Sequence, residues 1–258
     1  MCTLAIYFRT FADYPVVIAA NRDEYLARPA SSPTTLGENP HIVGGKDLRA
    51  SGTWLGINEH GLVAALLNRR AVNNGEADPN LRSRGLLCLD ALRARTAGEA
   101  ARLVEGQRGA GYNPFNLLIA SREAAYVACN LAGGPIKLVS LTPGFHLLTN
   151  VDIDDFECPR ISRSYGRFAS LCEQREFARD PLARRDEVER LLADHSTQLD
   201  ARSGRPNSLC LHLGAYGTRS SSLIFMGREA GMVEHFFAAG PPCITHFERA
   251  AVPHRHPA

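Results

Sequence analysis

The sequence predicts an α+β fold, a four-layer αββα sandwich of mostly antiparallel sheets. Three observations carry that expectation. Strand-like and helix-like segments come in blocks, in the order strands, helices, strands, helices, strands. Neighbouring strands within a block are joined by short connections, which antiparallel pairs accept and parallel pairs do not. Two separate helical groups are present, enough to cover two sheets on their outer faces.

The elements follow in order. Residues 3–8 (TLAIYF) and 15–20 (PVVIAA) are apolar, β-branched runs separated by a polar stretch, and their near-continuous hydrophobicity predicts strands covered on both faces. Residues 25–52 are rich in Pro, Gly, Ser and Asn and read as loop. Strands 53–58 and 62–67 form a hairpin through the turn Glu59-His60-Gly61, and 69–82 read as polar loop. Helices are expected over 83–95 and 97–105, the second opened by a capping box in which Thr96 precedes Glu99 by three residues. Strands 115–120 and 124–130 form another hairpin, followed by short strands 135–140 and 145–149. RISRSYGRFASLCEQREF (160–177) and DEVERLLADH (186–195) carry helical spacing, and strands 209–212, 221–226 and 232–237 close the chain. No repeat or linker divides the sequence, so 1–258 reads as a single domain with a flexible tail from about 248 to 258.

Composition narrows the function. Hydrophobic residues make up 45% and charged residues 22%, the balance of an ordinary globular protein. The net charge of +2 and the absence of any Lys/Arg block argue against a nucleic-acid surface. No apolar run approaches the ~18 residues of a membrane-spanning helix, and no secretory leader is recognisable, so the expected compartment is the cytoplasm. There are seven cysteines, Cys2, Cys88, Cys129, Cys158, Cys172, Cys210 and Cys243, none in a C-x-x-C pair. That spacing predicts reduced thiols, mostly small core residues, and no structural metal site. His146 and His212 fall in expected strands and read as satisfied structural groups.

The chemistry concentrates at the N-terminus. A Cys at position 2 is small enough to permit removal of Met1, which would leave a free α-amine and a thiol on one residue. The amine titrates near ~7.7–8.0 and can act as general base; the thiolate is the nucleophile. The plainer reading of Cys2 is a small residue in a buried first strand. Asn21, Arg22, Asp23 and Glu24 shift the balance. If the second strand runs antiparallel to the first, its C-terminal end brings Arg22 and Asp23 beside Cys2, where a guanidinium favours thiolate and a carboxylate can orient the amine. The plainer reading of this NRDE stretch is a polar turn closing a strand.

The segments MCTLAIYF, AANRDEYLARPA, GGKDLRASGTWLGINEHG and YGTRSSSLIF resemble the NRDE family, also called the transport and Golgi organization 2 family, in the expected order from Cys2 to about Phe225. The resemblance implies a fold of the N-terminal nucleophile hydrolase type. More distantly the pattern is similar to cysteine acylases that cleave penicillin V and conjugated bile salts, whose post-methionine Cys is matched by Cys2 and whose strand-end Arg and Asp are matched by Arg22 and Asp23. The same likeness implies oxyanion or orienting roles for Asn150 and Asn68 and an active-site role for Arg219, which can hold a substrate carboxylate by paired hydrogen bonds. Against these stand a strand-ending turn for Asn68 and Asn150, and a Ser/Thr-rich loop for Arg219. Asn21, Glu24 and Trp54 are assigned as substrate-binding neighbours, with a core or cleft-wall place for Trp54.

Two functions are therefore expected to compete. One is a cysteine amidohydrolase that cleaves a C–N amide bond of a small molecule and requires no cofactor. The other is a non-catalytic carrier or chaperone on the same fold for haem or a lipid-like ligand, since the resemblance implies links to haem handling and lipid homeostasis. A third, blander reading is an interaction protein with a vestigial site. Neither nucleic acid nor stable membrane insertion is expected.

Overall fold

The computed structural model describes residues 2–69, 77–131, 134–196, 199–200, 204 and 207–254. In chain order the strands are β1 (Thr3–Phe8), β2 (Val16–Tyr25), β3 (Ala30–Glu38), β4 (His41–Asp47), β5 (Thr53–Asn58), β6 (Val63–Asn68) and β7 (Phe115–Ala120). They continue with β8 (Ala125–Asn130), β9 (Lys137–Ser140), β10 (Gly144–Leu148), β11 (His212–Leu213), β12 (Tyr216–Met226), β13 (Val233–Ala238) and β14 (Glu248–Arg249). The α-helices are α1 (Arg84–Ala91), α2 (Ala97–Glu105), α3 (Pro159–Ala169), α4 (Arg175–Arg179) and α5 (Arg185–Leu192). The chain divides into two compact units: Met1–Arg28, Pro143–Arg228 and Met232–Ala250 form the first, and Pro29–Thr142, Glu229–Gly231 and Ala251–Ala258 the second.

The first unit holds a sheet in the order β10-β1-β2-β12-β13-β14, with β11 paired to β12, and every pairing is antiparallel. Successive strand residues face opposite sides. One face carries Ala5, Tyr7, Val17, Ala19, Phe145, Leu147, Leu223 and Phe225 against Ile161, Phe168, Phe177, Val188 and Leu192 from the helices. Each buried Phe or Leu contributes on the order of 1.5–3 kcal/mol. Tyr7 sits in this core with its hydroxyl satisfied by the Phe168 carbonyl at 2.9 Å. The other face of β1 and β2, with Leu4, Ile6, Val16 and Ile18, is buried too, as their unbroken apolar runs require.

The second unit holds a sheet in the order β3-β4-β5-β6-β7-β8-β9, also antiparallel throughout. Helices α1 and α2 lay Leu87, Ala91, Leu92, Ala100, Ala101 and Val104 on Leu62, Ala64, Leu117, Ile119 and Ala128. The Thr96 cap forms as expected, its hydroxyl accepting from the Glu99 N–H at 3.1 Å. The Glu59-His60-Gly61 turn also forms, with Gly61 at φ 77° and the Asn58 side-chain oxygen accepting from the His60 and Leu62 N–H groups.

Several boundaries differ from the sequence reading. Residues 30–47, expected as loop, are strands β3 and β4. Strand β3 is an edge strand with no fully buried residue and with Pro33 at a register shift, so it lacks the apolar alternation that marks a half-buried strand. The expected helix 160–177 is broken into α3, a 3₁₀ turn at Ser170–Cys172 and α4. Nine residues at ~100° each would put Phe168 and Phe177 on opposite sides of one straight helix; the break lets both reach the same aromatic core beside Tyr7 and Phe145. Residues 209–211 are not strand, β12 begins at Tyr216, and the helices expected over 83–95 and 186–195 are shorter, at 84–91 and 185–192. Within the C-terminal segment, β14 pairs with β13, and the His254 N–H donates to His41 Nδ1. Among the described residues no helix is long and apolar enough to cross a membrane.

Candidate active site

Strand β2 does not stop at Ala20. It runs on to Tyr25, so the NRDE residues are strand and not a closing turn. Their placement follows from register. Thr3 pairs with Asn21 and Leu4 with Leu148, and Asn21, Arg22 and Asp23 pair with Ser221, Ser220 and Thr218. Continuing the two β1 ladders past Thr3 brings Cys2 level with Arg22 on one side and with Asn150 on the other. Alternation then puts Cys2 and Arg22 on one side of the sheet and Thr3, Asn21 and Asp23 on the other. Arg219 occupies the bulge in β12 between Thr218 and Ser220, half-buried, and its Nε makes no hydrogen bond.

Cys2 is half-buried, and its Sγ lies 3.8 Å from the backbone carbonyl of Asp23. Withdrawal of the sulfur from solvent pushes its pKa up; the positive amino terminus opposes this, the Asp23 charge adds to it, and Arg22 pulls it back. The resting group is therefore a thiol that needs a base. Arg22 is 6% exposed and Asn150 equally so. A buried guanidinium in the row of the sulfur favours negative charge there.

Asp23 is fixed from the helical side. Its Oδ2 lies 3.1 Å from Nη1 of Arg160, an ion pair in which the arginine is only 1% exposed. Arg160 Nη1 also donates to Thr3 Oγ1 at 2.8 Å, the Thr218 hydroxyl donates to Asp23 Oδ1 at 2.7 Å, and the Tyr216 hydroxyl donates to the Asp23 carbonyl at 3.1 Å. This network spans β1, β2, β12 and α3. Sequence reasoning missed Arg160. The available signal was its helical stripe: Arg160, Ser164 and Phe168 are spaced by four and all are buried.

The remaining expected site residues separate. Asn21, assigned to substrate binding, has its amide taken up elsewhere: Nδ2 donates to the carbonyls of Leu192 and Leu209 at 2.9 Å each, and Oδ1 accepts from Ser221 at 2.6 Å. Glu24 accepts from the Tyr25 N–H and lies 3.9 Å from Arg28. Trp54 and Asn68 belong to the second unit. Trp54 stacks so closely over Gly45 that a Cβ there would fall 2.2 Å from the ring, and Asn68 is the exposed last residue of β6, opposite Phe115.

The family model described as Transport and Golgi organisation 2 matches residues 1–236. The chain belongs to that family. Within it, the chain is 30% identical over 245 residues to the transport and Golgi organization protein 2 homolog of Bos taurus, covering 84% of this chain and 83% of that one. It is 28% identical over 233 residues to the Mus musculus homolog, covering 83% and 82%. Solved structures extend the likeness to fold. A Cys-to-Ala mutant of conjugated bile acid hydrolase from Clostridium perfringens is similar over 99% of both chains, with 10% identity and a TM-score of 0.52. An N-acylethanolamine-hydrolyzing acid amidase ortholog from Caenorhabditis elegans is similar over 86% of this chain and 92% of that one, with 13% identity and a TM-score of 0.53. The family member described here therefore has the fold of the N-terminal nucleophile hydrolases.

In space, one further group of reactive side chains emerges. His195, Cys210, His212 and Cys243 offer ligand atoms that all lie within 4.8 Å of one another. No chain spacing among the four marks a metal site; His212 lies in strand β11 as expected, but its side chain is exposed and belongs to this cluster.

Proposed function

We propose that this protein is a cysteine amidohydrolase that cleaves a C–N amide bond of a small molecule, with Cys2 as nucleophile once Met1 is removed. The observation that carries the reading is the row at the sheet end: Cys2 level with Arg22 and Asn150, its sulfur beside the Asp23 backbone. The likeness of fold to enzymes whose names describe amide hydrolysis supports it.

The chemistry follows from the groups present. The Cys2 α-amine takes the thiol proton, and the sulfur attacks the substrate carbonyl carbon to form a C–S bond. Negative charge builds on the carbonyl oxygen, where the Asn150 amide can donate and the Arg22 guanidinium lowers the local potential. The C–N bond then breaks as the ammonium returns its proton to the leaving amine, leaving a thioester on Cys2. Water, deprotonated by the same amine, attacks the thioester and releases a carboxylic acid and the free thiol. Asp23, held by Arg160 and Thr218, fixes the strand end that carries these groups. Arg219, with its Nε making no hydrogen bond, is the group suited to a substrate carboxylate.

The test is turnover of a panel of N-acyl amides by the wild type and Cys2→Ala, with haemin titrated into the same samples. A hydrolysis rate at least ~10³-fold lower in the variant, with folding intact, is expected for loss of a nucleophile. A Soret shift independent of Cys2, with no hydrolysis in either protein, would replace the hydrolase with the carrier.

A further inference from the structure

We propose that His195, Cys210, His212 and Cys243 form a Cys₂His₂ site for one zinc ion. The four come from three stretches of the first unit: just past the end of α5, at the start of β11, and between β13 and β14. Cys210 Sγ lies 3.6 Å from Cys243 Sγ; His212 Nε2 lies 3.2 Å from Cys243 Sγ and 3.5 Å from Cys210 Sγ. Two sulfurs ~2.3 Å from a tetrahedral ion stand about 3.8 Å apart, and a sulfur and an imidazole nitrogen at ~2.0–2.1 Å stand about 3.6 Å apart. The spacings among Cys210, His212 and Cys243 fit that frame with a small expansion, and His195, whose ligand atom lies within 4.8 Å of the other three, closes it by a small inward shift of its exposed side chain.

The tautomer of His195 fits as well. His195 Nδ1 is 3.1 Å from the Ala193 carbonyl. A carbonyl only accepts, so Nδ1 carries the proton and Nε2 keeps its lone pair for a metal. The His195 and His212 rings meet edge to face, with centroids 5.4 Å apart. Two thiolates and two imidazoles select zinc over calcium or magnesium, which take oxygen ligands. A Cys210–Cys243 disulfide is the rival account of the two sulfurs. It leaves the convergence of two imidazoles on the same point unexplained.

Four protein ligands make a closed, structural site. Its position gives it a role. Leu211, between the ligands Cys210 and His212, donates its N–H to the Thr218 hydroxyl at 2.8 Å, and that hydroxyl donates to the Asp23 carboxylate. The ion clamps the segment that backs Asp23 and ties it to the end of α5 and to the C-terminal stretch. Binding energy at such a site is folding energy.

Untagged full-length protein, reduced and stripped with a chelator, is titrated with cobalt and then with zinc. The expected result is one equivalent of cobalt, with tetrahedral visible bands and thiolate charge transfer, displaced by one equivalent of zinc. Cys210→Ser/Cys243→Ser should lose the charge transfer and bind zinc at least ~10²-fold more weakly, more than the usual cost of losing a hydrogen-bond partner of a metal ligand. Cys2→Ala should retain both. If the double variant does not fold, His195→Gln, at an exposed position, should fold and bind at least ~10-fold more weakly. Three results would overturn the site: a weak octahedral spectrum without charge transfer, as the histidines of the C-terminal tail would give; a spectrum and affinity unchanged by the variants; or a Cys210–Cys243 disulfide formed in the presence of zinc.

Discussion

Two cysteine sites lie in the same unit and were built from sequence in opposite ways. The Cys2 motif is local: a short first strand, a short loop and the end of a second strand, so Cys2, Arg22 and Asp23 stand within about two dozen residues and register alone aligns them, with Asn150 joining from the end of β10. The zinc cluster is assembled from residues 195 to 243, and no pair in it has a spacing that marks a metal site. The chemistry differs too. At the tip one sulfur stands in a row with Arg22, where charge can develop. In the cluster two sulfurs face each other and two imidazoles, where a cation is needed. The contrast teaches that a nucleophile can be read from a strand motif, whereas a ligand set closed by tertiary contacts cannot.

The two sites meet at Asp23, and the sharpest way to separate them acts there. Arg160→Met should cost about 3–5 kcal/mol, because it strands the buried Asp23 carboxylate. Urea unfolding measures this, and adding Asp23→Asn to the variant should recover part of the loss. Zinc content per folded molecule should not change. An Arg160→Met protein as stable as wild type would mean that the ion pair does not hold the strand end.

Thr218→Val cuts the bridge between the sites with little change of shape. It removes the acceptor of the Leu211 N–H and a donor to Asp23, so the expected cost is about 1–3 kcal/mol, again by urea unfolding, with zinc stoichiometry intact. No change in stability would show that the two sites are independent.

The smallest effect is electrostatic. Arg22 pulls the Cys2 pKa down against burial. Arg22→Leu should therefore raise it further, so that less thiolate is present at any given pH. The rate of Cys2 alkylation by iodoacetamide should fall at pH 7, and its pH profile should move to higher pH. Alkylation of Cys172, a half-buried thiol outside both sites, serves as the internal comparison.

Much of the fold was legible because it rests on local rules. The unbroken apolar runs of β1 and β2, the Gly61 turn and the Thr96 cap each specify their own structure. What was hidden depends on partners distant in sequence. Strand β3 is polar because it is an edge, and it is a strand only because β4 pairs with it. The break after α3 reflects the need to seat Phe168 and Phe177 in one core. Arg160 looks like a surface residue until Asp23 and Thr3 are placed beside it. At the site, Cys2, Arg22 and Asp23 were visible as a motif, whereas Asn21 looked the same as its neighbours until its amide was found between Leu192, Leu209 and Ser221.

The claim that Cys2 is an N-terminal nucleophile is tested most directly by mass spectrometry of the intact protein, before and after brief treatment with a limiting thiol electrophile, followed by peptide mapping. The expected result is a chain that begins at Cys2 and is labelled there ahead of the half-buried thiols Cys129, Cys158 and Cys172. A chain that keeps Met1, or a label spread evenly over those thiols, would contradict it.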